Sequence, residues 1–588
     1  MKNDNLSMIR KLMFSLLPIQ VVLAVVGSVN EIVSSYFATN YCEIEVISAI
    51  GLFGPADMLL GAISTMLAGG CAVICGKYLG QNQMDSLKDV FNLDMVMTMI
   101  IGVLFTGLFV FMGFTGLTGV FTQNEALRPT FNRYLLCMSI GILPLMLGNQ
   151  LPSFLTMENK SSRTMIASVV YIILNLILNF LLVKVMNLQE IGLGLSTSIG
   201  LWAFFAVEAS HFMTKKTEFR FRLTGIAWKR ALEIISVGFP GAAGSIYMTA
   251  RGLIVNKLLE IHTGSVGLSA FTAANNMLCL FWAIPDGMMA VSRLLISVSV
   301  GEEDRQSLAD IMRVMFRNYL PLMCIIDAAI ILMARPLASL FFRDPSLPVY
   351  DMMVSGLRIL PLCMPLSIIC MHFTCYGQAS DKKLFVNILS FLDGVACVAG
   401  FSLLLTGWLK VNGVYIANVL NGVVTTLFIF GYAWFRNRHV PRNMEELMVI
   451  PDDFGASEDE RIDITITTMD EVINLSRRIM DFCQERGIDR RRSYFSALAL
   501  EEMAGNIVEH GFTKDNKKHS ISVRVVHKDD NIILRIKDDC IPFNPEDRRR
   551  ISENDDITKN MGIRMIYSIF KDISYQNLFS MNVLTIKI

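Results

Sequence analysis

The sequence is poor in the residues that metal chemistry and nucleic-acid binding require. Seven histidines are spread over 588 residues, and the 12 cysteines form no CxxC pair and no Cys/His spacing of the zinc type. Lys plus Arg and Asp plus Glu stand at 52 each, so no excess of positive charge is left to neutralise a phosphate backbone, and nucleic acid is not expected as a partner. Charged residues make up 18% of the chain against 53% apolar ones, and before about residue 435 they are nearly absent from long tracts. Cysteines inside those tracts read as reduced, small apolar side chains. The start, MKNDNLSMIRKLMFSLLPIQ, is basic but has no small-residue cleavage pattern and its apolar run continues, so it reads as a first membrane span.

What is present divides the chain in two. Apolar tracts long enough to span a bilayer lie near 12–38, 46–75, 92–114, 134–155, 164–187 and 191–213, then near 235–258, 267–299, 316–337, 352–376, 384–407 and 412–434. About twelve transmembrane helices are therefore expected. The stretch Gly80–Val90, GQNQMDSLKDV, is restated as Gly301–Ile311, GEEDRQSLADI, at an offset of about 221, and Ile142–Leu145 (ILPL) returns as Ile359–Leu362 at about 217. So long a period in an apolar chain indicates two homologous six-helix lobes, residues 1–215 and 216–435. Lys77, Lys88, Lys160, Arg163, the Lys215–Arg230 cluster, Arg305–Arg317, Lys382, Lys383 and Arg436–Arg442 fall on one side of these spans. By the positive-inside rule that side, with both termini, is the cytoplasm of a bacterial inner membrane.

Two lobes of six helices, a second helix ending in the Gly-rich GGCAVICGKYLGQ, and the fifth-helix pattern Asn175-Leu-Ile-Leu-Asn179 resemble the multidrug and toxic-compound extrusion (MATE) family over roughly residues 10–435. The resemblance implies a central cavity for amphipathic, often cationic small molecules, and acids on the first and fifth helices that carry a coupling H+ or Na+. Here Ser34 stands at the first-helix acid and Asn179 at the fifth-helix one. Both expected carboxylates are missing. Other charges within the spans are Glu31, Asp57, Glu208, Arg251, Asp286, Asp327, Arg358 and Asp393, each costly there unless it faces a cavity or a partner. Glu31 lies three residues before Ser34 on about the same helix face and is a replacement acid or a headgroup residue. Arg251 and Arg358 are expected to pair with buried acids. His372 reads as a packed, hydrogen-bonded residue, and Asn175 with Asn179 as an interhelix pair or as cavity groups. The cavity candidates are thus Glu31, Ser34, Asn175, Asn179 and Asp286.

Residues 436–460 turn polar, with the acidic run DDFGASEDE, and read as a linker. Beyond it, residues 461–588 alternate strand-like and helix-like periods as an α+β sandwich. Glu502, Asn506 and His510 recur every four residues on one helix face, where a carboxylate one turn from an amide oxygen suits a base beside a Mg2+ ligand. Ile536-Lys-Asp538-Asp-Cys540-Ile-Pro542-Phe543 is a buried-type strand ending in an acid and a tight turn, and Asn560-Met-Gly562 opens a helix whose amides attract phosphate. In this order the motifs resemble the ATPase domain of gyrase, Hsp90 and histidine kinases (GHKL), most closely its anti-sigma-factor serine kinase branch. The resemblance implies Glu502 as general base, Asn506 as Mg2+ ligand, Asp538 on the adenine amino group, Phe543 as a further nucleotide-binding residue and Gly562 at the phosphates. Cys540 and Asn560 stand where Gly is usual. The function expected is an ion-coupled exporter in the lipid bilayer with a cytoplasmic ATP-binding regulatory domain. The rival is a membrane sensor whose tail phosphorylates a serine of a STAS-like anti-sigma-antagonist partner.

Overall fold

A computed structural model describes residues 5–588 apart from 121–124, 126, 215–216, 223–224, 343, 515–517, 529–530, 546–560 and 580. Helices α1 (Asn5–Tyr41), α2 (Ile44–Gly80), α3 (Met84–Thr115), α4 (Arg128–Met157), α5 (Ser161–Leu178) and α6 (Gln189–Phe212) build the first lobe. Helix α7 (Ala231–Gly301) opens the second. It is not one rod. Gly70 packs against Ile234 and Gly238 near its start, while Gly80 packs against Val298 and Gly301 at its end, so both ends meet the last third of α2. The segment therefore runs out and returns, reversing at Gly264 (φ 65, ψ −162), a backbone state that favours glycine. Next come α8 (Arg305–Val314), α9 (Leu320–Leu332), α10 (Ala334–Ser339), α11 (Pro348–Ile359), α12 (Met364–Ala379), α13 (Lys383–Phe391), α14 (Cys397–Leu409) and α15 (Val411–Asn437).

Among the described residues, eleven stretches are long and apolar enough to cross a membrane, and one of them, Trp228–Gly301, holds two arms. Each of the twelve expected tracts overlaps these helices, those at 164–187 and 191–213 running one or two residues past a helix end and that at 316–337 crossing the break at Met333 between α9 and α10. The repeat extends to detail: the fifth helix of each lobe carries a π-helical turn, Asn179–Val185 in the first and Leu392–Ala396 in the second.

The segment read as a linker is packed. Helix α16 (Met444–Met448) buries Leu447 and Met448 against the membrane body. Lys382 Nζ donates to Met448 O (2.8 Å) and Val449 O (2.6 Å), and Arg305 Nε meets Glu445 Oε2 at 2.9 Å. Polar composition forbids a core of its own but not attachment to another.

The tail comprises β1 (Arg461–Ile466), α17 (Met469–Glu485), α18 (Arg490–Asn506), β2 (Ile521–Lys528), β3 (Asn531–Asp538), α19 (Met561–Ile569), β4 (Asp572–Leu578) and β5 (Met581–Lys587). Its antiparallel sheet has the order β1-β2-β3-β5-β4. Thr468 and Glu471 form a capping box that starts α17. Alternation gives the sheet two faces: Ile532, Leu534 and Ile536 of β3 are buried in a core with Leu475, Ile479, Leu500 and Ile566 of the helices, whereas Arg535 and Lys537 point the other way.

Candidate functional sites

The first lobe holds a cavity of about 640 Å³ whose lining includes Asn30, Ser34, Asp57, Tyr134, Ser168 and Tyr171. Asp57, from α2, is the one carboxylate among its described lining residues. Ser34 lines it as well, so the cavity faces the position where the family acid is missing. The side chain of Glu31 lies outside the described residues. Asn175 and Asn179 are buried and line none of the cavities described here. Asn179 Nδ2 donates to Asn175 Oδ1 (2.7 Å), and Ser196 Oγ donates to Asn179 Oδ1 (2.8 Å), a network that ties α5 to α6. Asp286 is half-buried on the returning arm of α7 and lines none of them either.

The second lobe repeats the arrangement. A cavity of about 280 Å³ is lined by Arg251, Asn256, Phe271, Thr272, Asn275 and Asn418 among others. Five of its residues, Arg251, Val255, Asn256, Phe271 and Asn275, stand 221 positions after Asn30, Ser34, Ser35, Ile50 and Gly54 of the first cavity. Between the lobes a third cavity of about 300 Å³ is lined by Gln20, Ser64, Asn149 and Arg293 among others. Arg293 is missing from the intramembrane charges read from sequence, although a lone charge in an apolar run is the signal that marks it. Neither expected arginine pairing is found: Arg358 is exposed, and Arg251 makes no ion pair among the described residues. His372 is buried, with Nε2 on Ser292 Oγ (2.7 Å) and Nδ1 on Ile368 O (2.8 Å).

On the tail side the two lobes touch along a seam. A Cβ on Gly80 would collide with the backbone of Val298 and Gly301, and one on Gly301 with Lys77. The repeated stretches thus begin at two glycines packed on each other, and Lys77 Nζ reaches Asp381 Oδ2 across the lobes at 2.7 Å. Over this seam lies the outward face of the tail sheet. Arg524 of β2 pairs in register with Arg535 of β3, an arrangement of like charges that is unfavourable without acids nearby. The loop after Gly301 supplies them. Glu302, with its side chain 5% exposed, meets Lys537 Nζ at 2.6 Å and Arg535 Nη1 at 3.6 Å. Asp304 pairs with Arg524, which also donates to Glu303 O at 3.1 Å, and Lys528 pairs with Glu303. Burial alone would raise the Asp304 carboxyl, but Arg524 and Lys537 hold it below the usual carboxylate range. Burial and the nearby Asp304 push Asp463, which shares Arg524, up to about 6. The first lobe is engaged too: Asn159 Nδ2 donates to Asn577 O (3.1 Å), Gln576 bonds Asn82, and Lys11 pairs with Asp539. Phe579, in the turn between β4 and β5, is 4% exposed and belongs to the core of the membrane body.

The three tail motifs converge. Gly562, in the first turn of α19, packs on the Glu502 carboxylate so closely that any Cβ would overlap it. Asn506 Nδ2 is spent on the Glu502 carbonyl, which leaves Oδ1 as its ligand atom. Gly511, at the end of the π-helical turn after α18, abuts Cys540, so the Glu502 helix adjoins the Asp538 turn. Asp538 is buried, its Oδ1 accepting from Asn582 Nδ2 (2.7 Å) and Cys540 N (3.0 Å), and burial raises its carboxyl. Phe543 is 37% exposed, with its N–H on Tyr575 Oη at 3.1 Å. Asn560 lies outside the described residues. A carboxylate, an amide oxygen, a buried acid and a glycine cradle are a donor set that fits Mg-nucleotide, and Glu502 now fills the place at the start of α19 where a phosphate would gain most.

Comparison with known proteins agrees with this division. The MatE family model matches residues 7–181 and 240–398, and the histidine kinase-like ATPase domain matches residues 467–588. A probable multidrug resistance protein NorM of Bacillus licheniformis is 24% identical over 178 residues, 29% of this chain and 39% of that protein. One of Photorhabdus laumondii is 21% identical over 442 residues, 73% of this chain and 96% of its own length. The chain thus spans well under half of the first relative and nearly all of the second. Among solved structures, the outward-facing conformation of a multidrug resistance MATE family transporter of the MOP superfamily superposes with a TM-score of 0.68 at 19% identity, covering 76% of this chain and 99% of that one. A MATE in complex with MaL6 gives 0.68 at 20% identity, covering 75% and 97%.

Proposed function

Because this chain belongs to the MatE family and carries a histidine kinase-like ATPase domain, we propose that it is an ion-coupled exporter of amphipathic small molecules whose ATP-binding tail holds it shut on the cytoplasmic side. The observation that carries this reading is the clamp of Glu302, Glu303 and Asp304 on Lys537, Lys528 and Arg524. The tail grips both lobes over the seam, so the lobes cannot part there while it is docked. The relatives' names, multidrug resistance proteins, support the substrate class. The chain sits in a bacterial inner membrane with both ends cytoplasmic, as its Lys/Arg bias supports.

Asp57 is the acid of the first-lobe cavity that replaces the absent family carboxylates, and it takes the coupling H+ or Na+. In the tail, Asn506 Oδ1 holds Mg2+, Asp538 takes the adenine amino group, Phe543 flanks the base and Gly562 lets the phosphates approach. When bound, ATP supplies a transferable phosphoryl group and Glu502 accepts the proton of the receiving hydroxyl. Nucleotide and clamp share β3: Asp538 faces the nucleotide, while its neighbour Lys537 faces the membrane body. The second reading, a serine kinase of a STAS-like partner with the body as sensor, draws on Glu502 and Asn506 together with the missing acids at Ser34 and Asn179.

Efflux from proteoliposomes under imposed H+ or Na+ gradients tests the reading. The full chain should export slowly, the Arg524→Ala/Lys537→Ala variant faster, and Asp57→Asn not at all. Gradient-independent solute binding without export in every variant would instead favour the sensor.

A further inference from the structure

The matched cavities of the two lobes differ in charge, and the difference falls on a repeat-related pair. Where the first lobe has Asn30, the second has Arg251. Where the first has the carboxylate Asp57, the position 221 residues later is Leu278, buried and outside the second cavity. Arg251 has no ion pair or hydrogen bond among the described residues. Asp393 lies within its electrostatic reach but has its Oδ1 on Asn421 Nδ2 (2.8 Å). Around Arg251 stand Asn256, Thr272, Asn275 and Asn418, all able to donate, and Phe271, which supplies a flat apolar wall. A guanidinium in a membrane-spanning helix with no carboxylate in ion-pair contact, set among amide and hydroxyl donors, is complementary to a planar oxyanion.

We propose that the second-lobe cavity is a binding site for the carboxylate-type or sulfonate-type oxyanion of an amphipathic solute. Resting on the transport reading, this assigns the solute class: the exporter takes anionic or zwitterionic amphiphiles through Arg251, beside cations through Asp57. Phe271 receives the apolar part next to the anion. Each charge type thus enters a cavity built from the same repeat positions.

Two xanthene dyes of opposite charge test it: fluorescein, an anion, and rhodamine 123, a cation. Binding is read by fluorescence anisotropy on the full chain in phosphatidylcholine nanodiscs. Arg251→Gln should weaken fluorescein about tenfold, the loss of one charge-assisted contact, and leave rhodamine 123 within about twofold. Arg251→Lys should recover part of the loss, which a merely structural role would not. Fluorescein affinity unchanged in Arg251→Gln overturns the proposal. So does displacement of fluorescein by added phosphatidylglycerol from the wild type alone, because the site would then hold a lipid headgroup. Binding of rhodamine 123 without fluorescein removes the anion site and spares the transport reading, whereas binding of neither dye counts against both.

Discussion

The membrane body is closed twice on the side that carries the tail, and the two closures are built from opposite materials. The seam between α2 and α7 is backbone against backbone, with Gly76, Gly80 and Gly301 removing the side chains that would hold the helices apart. The clamp above it is mostly charge, with acids from one loop set against bases on two strands. A seam of this kind has little salt dependence and tolerates no added atom. A clamp of buried ion pairs is costly to desolvate and is therefore a poor source of stability, but its release can be steered by charge, ligand or partner. That difference teaches which closure is the door and which the latch.

The largest effect expected is at the seam. Gly301→Val places a branched side chain on the Lys77 backbone, and no rotamer change can relieve it. The closed state should lose more than the ~1–3 kcal/mol of ordinary overpacking, because a helix and not a side chain must move. Spin labels at Ser86 and Ser307 should report a longer, broader distance, and an unchanged distribution would contradict the seam. Next is Arg524→Ala, which strands Asp304 and leaves Asp463 one base fewer. Docking should weaken by about 3–5 kcal/mol, the usual result of removing one partner of a buried pair. Hydrogen exchange at 302–304 should rise sharply while exchange in β3 stays protected.

Much of this arrangement was legible, and the parts that were not have definite causes. Helix tracts are set by apolar length, which sequence states directly, so the spans agree. The repeat marked Gly80 and Gly301, but nothing in one dimension says that two related loops face each other. Cavity residues were harder. Helices α1, α2 and α5 are apolar nearly all round, so periodicity does not reveal which side looks inward. Asn175 and Asn179 read from sequence as an interhelix pair or as cavity groups, and the structure links Asn179 to Asn175 and to Ser196 while Asn175 Nδ2 has no hydrogen-bond partner among the described residues. Asp57 was in view as a charge but had no positional argument. In the tail, alternation identifies strands and their buried face but does not set Arg524, Arg535 and Lys537 apart from a solvated face, since what covers them lies more than two hundred residues away in sequence. The close repeat of helical spacing at Glu502 and Asn506 was legible because both ends of that relation are local.

The clamp has one apolar member, and it separates the two kinds of closure most finely. Phe579 sits at a turn with φ 54, a strained state for a bulky residue, and its ring is buried in the core of the membrane body beside Met8 and Ile9. Such an aromatic in a pocket is the usual anchor of an interface, and Phe579→Ala should weaken docking by at least ~2 kcal/mol, with the loss unchanged by salt. Lys528→Ala should do far less. Its ammonium pairs with Glu303, both half-exposed, and exposed pairs contribute roughly 0–1 kcal/mol that salt screens further. Proteolytic release of the tail, titrated with salt in the wild type and both variants, ranks them. If Lys528→Ala matched Phe579→Ala, the latch would be surface electrostatics alone; the burial of Glu302 and Phe579 predicts instead that Phe579 dominates and that a salt-resistant fraction of docking remains until the ring is removed.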